Sequence, residues 1–266
     1  MNICITAAES GIGRHFSQQF RKRGHEVITD RGLKLSEVNE VYDFLKKHHP
    51  DAVVHCRRVN YSPIQVMKNI AACCVELKIP IMYVSGGSVF GKTEKASERT
   101  PRDPVTKKAL IHYECENIAA QCGRFYIFRP AENMFGCGGE DIISRLLALG
   151  KRKKEIILNS SKEFSVVYGA DAAELGADII ELGKSGIFNC ANEGLCSEFS
   201  LACELYRLIR LAGNEDYYDV AVSPTETGGH AFEMQCRSIV KAGIEPLESW
   251  HSALERYVKE IHKDYK

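Results

Sequence analysis

Two stretches of this chain hold residue types whose spacing could do chemistry. The first is the turn Ala7-Ala-Glu-Ser-Gly-Ile-Gly13. It follows a short apolar run, Asn2 to Thr6, and leads into a segment with Ile12, Phe16 and Phe20 four apart, on one helical face. A helix that starts at a strand end presents backbone N–H groups and the positive end of its dipole, a site suited to a pyrophosphate. Gly11 and Gly13 let the backbone approach such a ligand and the helix pack on the sheet. Asp30, closing the next apolar run, stands where a carboxylate would accept from a ribose hydroxyl, and Arg31 beside it could meet a 2′-phosphate. The second stretch holds Lys108 and His112, four apart and so on one face of a helix. Either could serve as a general acid if burial or a neighbouring cation brought its pKa towards neutrality.

The elements that position these residues alternate regularly. Glu26 to Asp30, Asp51 to Cys56, Ile81 to Ser85 and Arg124 to Arg129 read as strands. Glu37 to His48, Ile64 to Leu77 and Lys107 to Cys122 read as the helices between them, with Pro50 and Pro80 as breaks. This pattern predicts an α/β fold, a Rossmann-like doubly wound parallel sheet with helices on both faces. Thr93 to Thr106 is polar and reads as a surface loop. The second half is less regular: a helix over Asp141 to Leu149, a strand over Glu163 to Tyr168, helices over Ala170 to Glu181 and Ser197 to Leu211, a strand over Gly186 to Cys190, and a closing helix from Trp250 to His262. We expect residues 1–135 to form a dinucleotide-binding core, and residues 136–266 to supply late core elements and a smaller C-terminal substrate lobe.

Bulk composition narrows the function classes. Among 266 residues, 35 are basic and 35 acidic, which gives no general attraction to nucleic acid or to an anionic membrane. No apolar run approaches the ~20 residues of a membrane span, and we expect no signal peptide before the first strand. Eleven cysteines, with no CxxC and no metal-ligand spacing, predict reduced thiols in a cytoplasm and no metal centre. Cys73-Cys74 falls in a helix, where adjacent side chains diverge, so a core role for one is favoured over redox chemistry. Lys151-Arg-Lys-Lys154 reads as a solvated loop.

The order of the motifs resembles the extended short-chain dehydrogenase/reductase superfamily, and within it the dTDP-4-dehydrorhamnose reductase branch, along nearly the whole chain. Thr6 to Arg14, with Ser10, Gly11, Ile12 and Gly13, resembles the cofactor turn, Ala7 replacing the first glycine. Pro50 to Cys56 resembles the "PDxVxNxA" strand, and Asn69 matches the helix asparagine that follows it. Val84 to Gly91 resembles the "ISTDYVFDG" segment. Phe128 to Gly136, which includes Arg129, Glu132 and Asn133, resembles the "RxxxxYG" substrate strand. Val167 to Ala173 resembles "VxVDDVAxA", and Gly243 to Leu254 resembles the reductase ending.

The catalytic positions depart from that family. It uses a Ser/Thr, a Tyr and a Lys, the last two as YxxxK. The Tyr position here falls on Lys108, the Lys position on His112, and the Ser/Thr position on Gly86, with Ser85 and Ser88 beside it. Tyr113 is one residue off, and Asn117 rather than a lysine follows it at the fourth place. Two small residues of the family become Arg57 and Arg58, close to where relatives hold the cofactor, and Arg57 is a candidate phosphate contact. The resemblance implies an NADP- or NAD-dependent reductase acting on a carbonyl of a nucleotide-linked or free sugar, with Lys108, His112, Ser85 and Ser88 as catalytic candidates and Arg129, Glu132 and Asn133 towards the substrate. The altered triad leaves open a non-catalytic NAD(P)- or nucleotide-sugar-binding regulatory protein, and more weakly an epimerase or dehydratase. A homodimer built on the Lys107 to Cys122 helix is a further expectation of the resemblance.

Overall fold

A computed structural model describes residues 1–56, 62–139, 141–229 and 231–263. Alternation begins at once: β1 (Asn2–Thr6), α1 (Gly11–Lys22), β2 (Glu26–Thr29), α2 (Val38–His48), β3 (Ala52–His55), α3 (Pro63–Glu76) and β4 (Ile81–Val84). A 3-10 turn (Gly87–Phe90) precedes β5 (Lys95–Ala96), α4 (Lys107–Ala119), β6 (Phe125–Pro130), β7 (Asn133–Phe135) and α5 (Ile142–Arg152). Next come β8 (Glu155–Asn159), β9 (Glu163–Phe164), β10 (Val166–Tyr168), α6 (Gly169–Leu182), β11 (Gly186–Cys190), β12 (Cys196–Ser197) and α7 (Glu198–Leu211). The chain ends with β13 (Ala221–Thr225), β14 (Glu233–Met234), α8 (Arg237–Ala242) and α9 (Trp250–Lys263).

Six strands form one parallel sheet in the order β11-β6-β4-β3-β1-β2. Ile3 and Ile5 pack on one face with Phe16 and Phe20 of α1 and Leu175 and Ile179 of α6. Cys4, between them, packs on the other with Val41 of α2 and Met67 and Ile70 of α3. Period-two alternation with both faces apolar is what a fully covered parallel sheet requires. β1 lies between β2 and β3, so successive strands depart from it in opposite directions. That reversal opens a crevice at the carboxyl ends of β1 and β3, where open α/β sheets bind ligands.

Residues beyond 136 divide between two cores. β11 and α6 complete the sheet and its α1 face. α5, α7 and α9 enclose a separate cluster around Leu146, Leu201, Leu205 and Leu254.

Several local expectations change. The polar segment Thr93 to Thr106 contains β5, which pairs with β14 from the far end of the chain. Glu163 to Tyr168 is two strands rather than one, because Ser165 turns its N–H to Phe232 O (2.9 Å) and its Oγ to Met234 N (2.9 Å). β8, β13 and α8 lie in segments to which the sequence reading assigned no element. β8 owes its strand to a parallel partner, β13, more than sixty residues away. Both Cys73 and Cys74 are buried, since α3 is packed between α2 and α4; burial pushes both thiols above their usual pKa.

Candidate active site

The β1–α1 turn is built by close backbone contacts. Ala7 takes a left-handed φ of 53°, as does Gly11. A Cβ on Gly13 would lie 2.3 Å from Ala7 O, so only glycine lets the first turn of α1 settle on the end of β1. Ser17 Oγ donates to Ala8 O (3.0 Å) and Gly13 O (2.9 Å), locking the turn from behind. Ser10 is the N-cap and makes no side-chain cap, so its hydroxyl and Ile12 stand at the mouth of the helix.

Three expected cofactor contacts have structural tasks as well. Asp30 is buried, and its Oδ1 accepts from Ala7 N at 3.1 Å, so this carboxylate braces the turn's unusual φ. Thr6 Oγ1 accepts from Cys56 N (3.0 Å), donates to Cys56 O (3.1 Å) and lies 2.9 Å from His55 Nδ1, riveting β1 to β3. Asn69 Nδ2 donates to Leu35 O (3.0 Å) and Ser36 O (2.8 Å), which ties down the β2–α2 connection. Arg31 is exposed beside Asp30. Arg57 and Arg58 lie outside the described residues.

Past the end of β4 the expected catalytic residues separate into two groups. Ser85 Oγ donates to Glu116 Oε1 at 2.6 Å. Glu116, fully buried on α4, also accepts a bidentate pair from Arg129 (2.8 and 2.6 Å) and a third guanidinium bond from Arg102 (2.9 Å). Arg129 is 1% exposed and packs its guanidinium over the Phe90 ring. Arg102 also holds Asn117 (2.9 Å) and covers the Tyr113 ring. Ser85 and Arg129 therefore belong to a buried framework that fastens α4 to β6. A buried carboxylate is tolerable only when cations and hydrogen bonds surround it in this way.

The second group faces the crevice. Lys108 Nζ lies 2.7 Å from Glu132 Oε1, and Glu132 Oε2 accepts from Ser88 N at 3.1 Å. Burial would raise the Glu132 pKa, but the hydrogen bond and charge of Lys108, helped by Ser88 and His112, prevail and hold it below the usual range. Ser88 Oγ is shielded from solvent and has no hydrogen-bond partner among the described residues. A Cβ placed on Gly86 would be 3.9 Å from Glu132 Oε2, 3.9 Å from His112 Nε2 and 4.0 Å from Ser88 Oγ. Those three groups thus converge on the space that Gly86 leaves empty.

Behind them, Tyr83 Oη and His112 Nδ1 lie 2.9 Å apart, and the Tyr83 ring stacks on His55 at 5.9 Å between centroids. Full burial lowers the His55 pKa to about 4. Tyr83 and His55 went unmarked in the sequence because each sits in a strand run that reads as core, and Glu116 because it stands in a charged helical stretch that reads as surface. Only the alternation of β4 hints that Tyr83 points towards α4.

A cleft of about 620 Å³ opens from this group, lined by Ser88, Glu132, Asn133, Asn159, Lys162 and Glu198. Asn133 also borders a second cleft of about 600 Å³, lined by Asp141, Ser144, Arg145 and Arg152. Between the two, Arg145 Nη2 and Glu198 Oε1 form an ion pair at 2.5 Å. Among the described residues, no helix is long and apolar enough to cross a membrane.

The family model described as the RmlD substrate binding domain matches residues 1–263. The chain belongs to that family. Its fold is shared with the crystal structure of a dTDP-4-dehydrorhamnose reductase from Clostridium acetobutylicum, at a TM-score of 0.85 and 22% identity over 98% of this chain and 99% of that one. The Bacillus anthracis dTDP-4-dehydrorhamnose reductase, solved in complex with NADP, gives 0.84 and 19% over 97% and 99%. A UDP-glucose 4-epimerase from Thermotoga maritima, solved with UDP-glucose, gives 0.80 and 17% over the whole of both chains. No curated protein sequence matches. Membership in the RmlD family fits the resemblance read from the motifs. At these identities the solved structures speak for the fold, so what the crevice does rests on its own residues.

Proposed function

We propose that this RmlD-family protein is an NAD(P)-dependent reductase of a carbonyl on a nucleotide-linked sugar, in which Lys108 supplies the proton that a tyrosine supplies elsewhere in the superfamily. The observation that carries this reading is the Lys108–Glu132 pair, 2.7 Å apart, set over the opening at Gly86.

The residues present fit the dinucleotide. The Gly13 cradle and the uncapped start of α1 suit its diphosphate, through Ser10, Gly11 and Ile12. Arg31 and Arg57 are the candidates for its ribose or 2′-phosphate. When bound, the cofactor supplies the hydride. Glu132 aims the Lys108 ammonium, so that it can meet the oxygen on which negative charge develops and pass it a proton. Ser88 Oγ stands beside that oxygen as a further donor. The two clefts that meet at Asn133 suit a substrate with two parts, a sugar below Glu132 and a phosphorylated nucleoside beside Arg145 and Arg152.

The test is consumption of NADPH or NADH with dTDP-4-dehydrorhamnose and a panel of keto-sugar nucleotides. Turnover that disappears in Lys108→Ala, with cofactor affinity intact, supports the reading. Absence of turnover with every sugar overturns it.

A second reading, a non-catalytic dinucleotide or nucleotide-sugar sensor, is favoured by one feature. The Ser85 hydroxyl is turned away from the crevice and engaged by Glu116. It predicts calorimetric binding of cofactor without consumption, and a partner protein whose activity changes when the ligand binds.

A further inference from the structure

We infer that the Arg145–Glu198 ion pair opens when a nucleoside diphosphate enters, the Arg145 guanidinium passing from the carboxylate to the phosphates. Arg145 thereby selects for a diphosphate on the ligand, and Glu198 is the group that the phosphates displace. The inference rests on the reading above that the ligand is nucleotide-linked.

Three observations carry it. The first is position. Arg145 lines the cleft of about 600 Å³ and Glu198 the cleft of about 620 Å³, with Asn133 common to both, so their contact at 2.5 Å lies across the border.

The second is charge. The Arg145 cleft sets Arg145 and Arg152 against one acid, Asp141. Both oxygens of that acid are already engaged: Oδ1 accepts from Ser144 N (2.8 Å) and Ser144 Oγ (2.9 Å), and Oδ2 from Gly136 N (2.9 Å). The Glu198 cleft sets Glu132 and Glu198 against Lys162. An anion is therefore drawn to the first cleft and turned away from the second.

The third is spacing. Arg145 and Arg152 stand seven residues apart on α5, two turns along one face, with Ala148 and Leu149 between them. Arg152 has no ion-pair partner among the described residues. Two guanidinium groups can thus approach one diphosphate, while the apolar surface between them suits a base.

The energetics favour the exchange. The side chains of Arg145 and Glu198 are 51% and 29% exposed, and an ion pair so open to water is weak. A guanidinium holds a phosphate through two parallel charge-assisted bonds, which are stronger. Glu198 is not stranded when the arginine leaves. It is the first residue of α7, where the helix dipole favours a carboxylate, and the Ser197–Ser200 capping box fixes that helix start. Without ligand the pair bars the border beside Asn133. With ligand the border opens, and the sugar end of the substrate passes through towards Glu132.

Calorimetric titration of dTDP into protein saturated with NADP tests this. Arg145→Ala should weaken dTDP by about ten- to hundredfold, the size of a lost charged hydrogen bond. Glu198→Gln should tighten it by about two- to fivefold, the strength of an exposed pair released. In the Arg145→Ala background Glu198→Gln should change nothing, because its gain passes through the arginine. Deoxythymidine, which has no phosphate, should not distinguish the variants. Equal tightening by Glu198→Gln in both backgrounds would mean direct repulsion between carboxylate and ligand, and overturns the exchange. So does a Glu198→Gln variant that binds dTDP no tighter than wild type. Unchanged dTDP affinity in Arg145→Ala overturns the inference and leaves the nucleotide-sugar reading standing. Failure of the wild type to bind either dTDP or UDP overturns that reading, and the inference with it.

Discussion

Glu116 and Arg129 meet at 2.6 Å with neither side chain more than 2% exposed, and this pair joins α4 to β6 directly beneath the crevice. Arg102 and Ser85 complete the shell around the same carboxylate. The helix that carries Lys108 and His112 is therefore anchored to the sheet by charge as well as by apolar packing.

Removing that anchor should destabilise the whole protein. Glu116→Ala leaves the Arg129 guanidinium buried without its carboxylate, which costs about 3–5 kcal/mol for a broken buried pair. Urea unfolding at pH 7 checks this. A loss below about 1 kcal/mol would mean that solvent reaches the pair.

Lys108 is half exposed at the helix start, so Lys108→Ala should leave stability nearly unchanged. In the reductase reading, its turnover with the keto-sugar substrate should fall by about 10²–10⁴-fold. Steady-state kinetics with a calorimetric check of cofactor binding separates the two effects. Glu132→Gln should lower kcat more than it raises KM, because the lysine loses its orienting partner.

Gly13→Ala tests the mouth of α1. The added methyl would stand 2.3 Å from Ala7 O, and the helix must move away from β1 to admit it. Overpacking of this kind costs about 1–3 kcal/mol. The rise in melting temperature produced by NADP in the wild type should vanish, and a full ligand-induced rise in the variant would show that the diphosphate binds elsewhere.

His55 predicts an acid limb in the stability curve. Burial lowers its pKa from 6.5 to about 4, so the folded protein holds this imidazole neutral while the unfolded chain can protonate it. The unfolded state binds more protons between these values, and stability therefore rises with pH across that window. Its contribution is fully present above pH 6.5 and is lost as pH falls towards 4, by about 3 kcal/mol. His55→Gln should flatten the difference in urea midpoint between pH 7 and pH 5. An equal slope in wild type and variant would place the effect on other groups.

Much of the architecture was legible in the chain itself. Strands of four to six apolar residues, separated by helices with proline or glycine at their ends, specify a parallel α/β sheet because periodicity and breakers are local properties. The glycine turn was equally legible, since Gly13 is dictated by backbone contact within seven residues of itself. The sequence also brought Lys108, His112, Ser88, Glu132 and Asn133 into consideration, and the fold gathers them around one crevice.

Tertiary structure decided which neighbours each candidate side chain meets. Ser85 and Ser88 are three residues apart and chemically alike, yet one bonds Glu116 in the interior and the other faces the cleft. Arg129 is expected towards the substrate, and its partner Glu116, thirteen residues upstream, buries it beneath the crevice. Tyr83 was invisible as anything but a strand residue, because its hydroxyl meets His112 only when α4 delivers that residue to it. Local sequence specifies which elements form and which residue types they carry; the direction a buried polar side chain takes is set by the long-range partner that compensates its lost hydration.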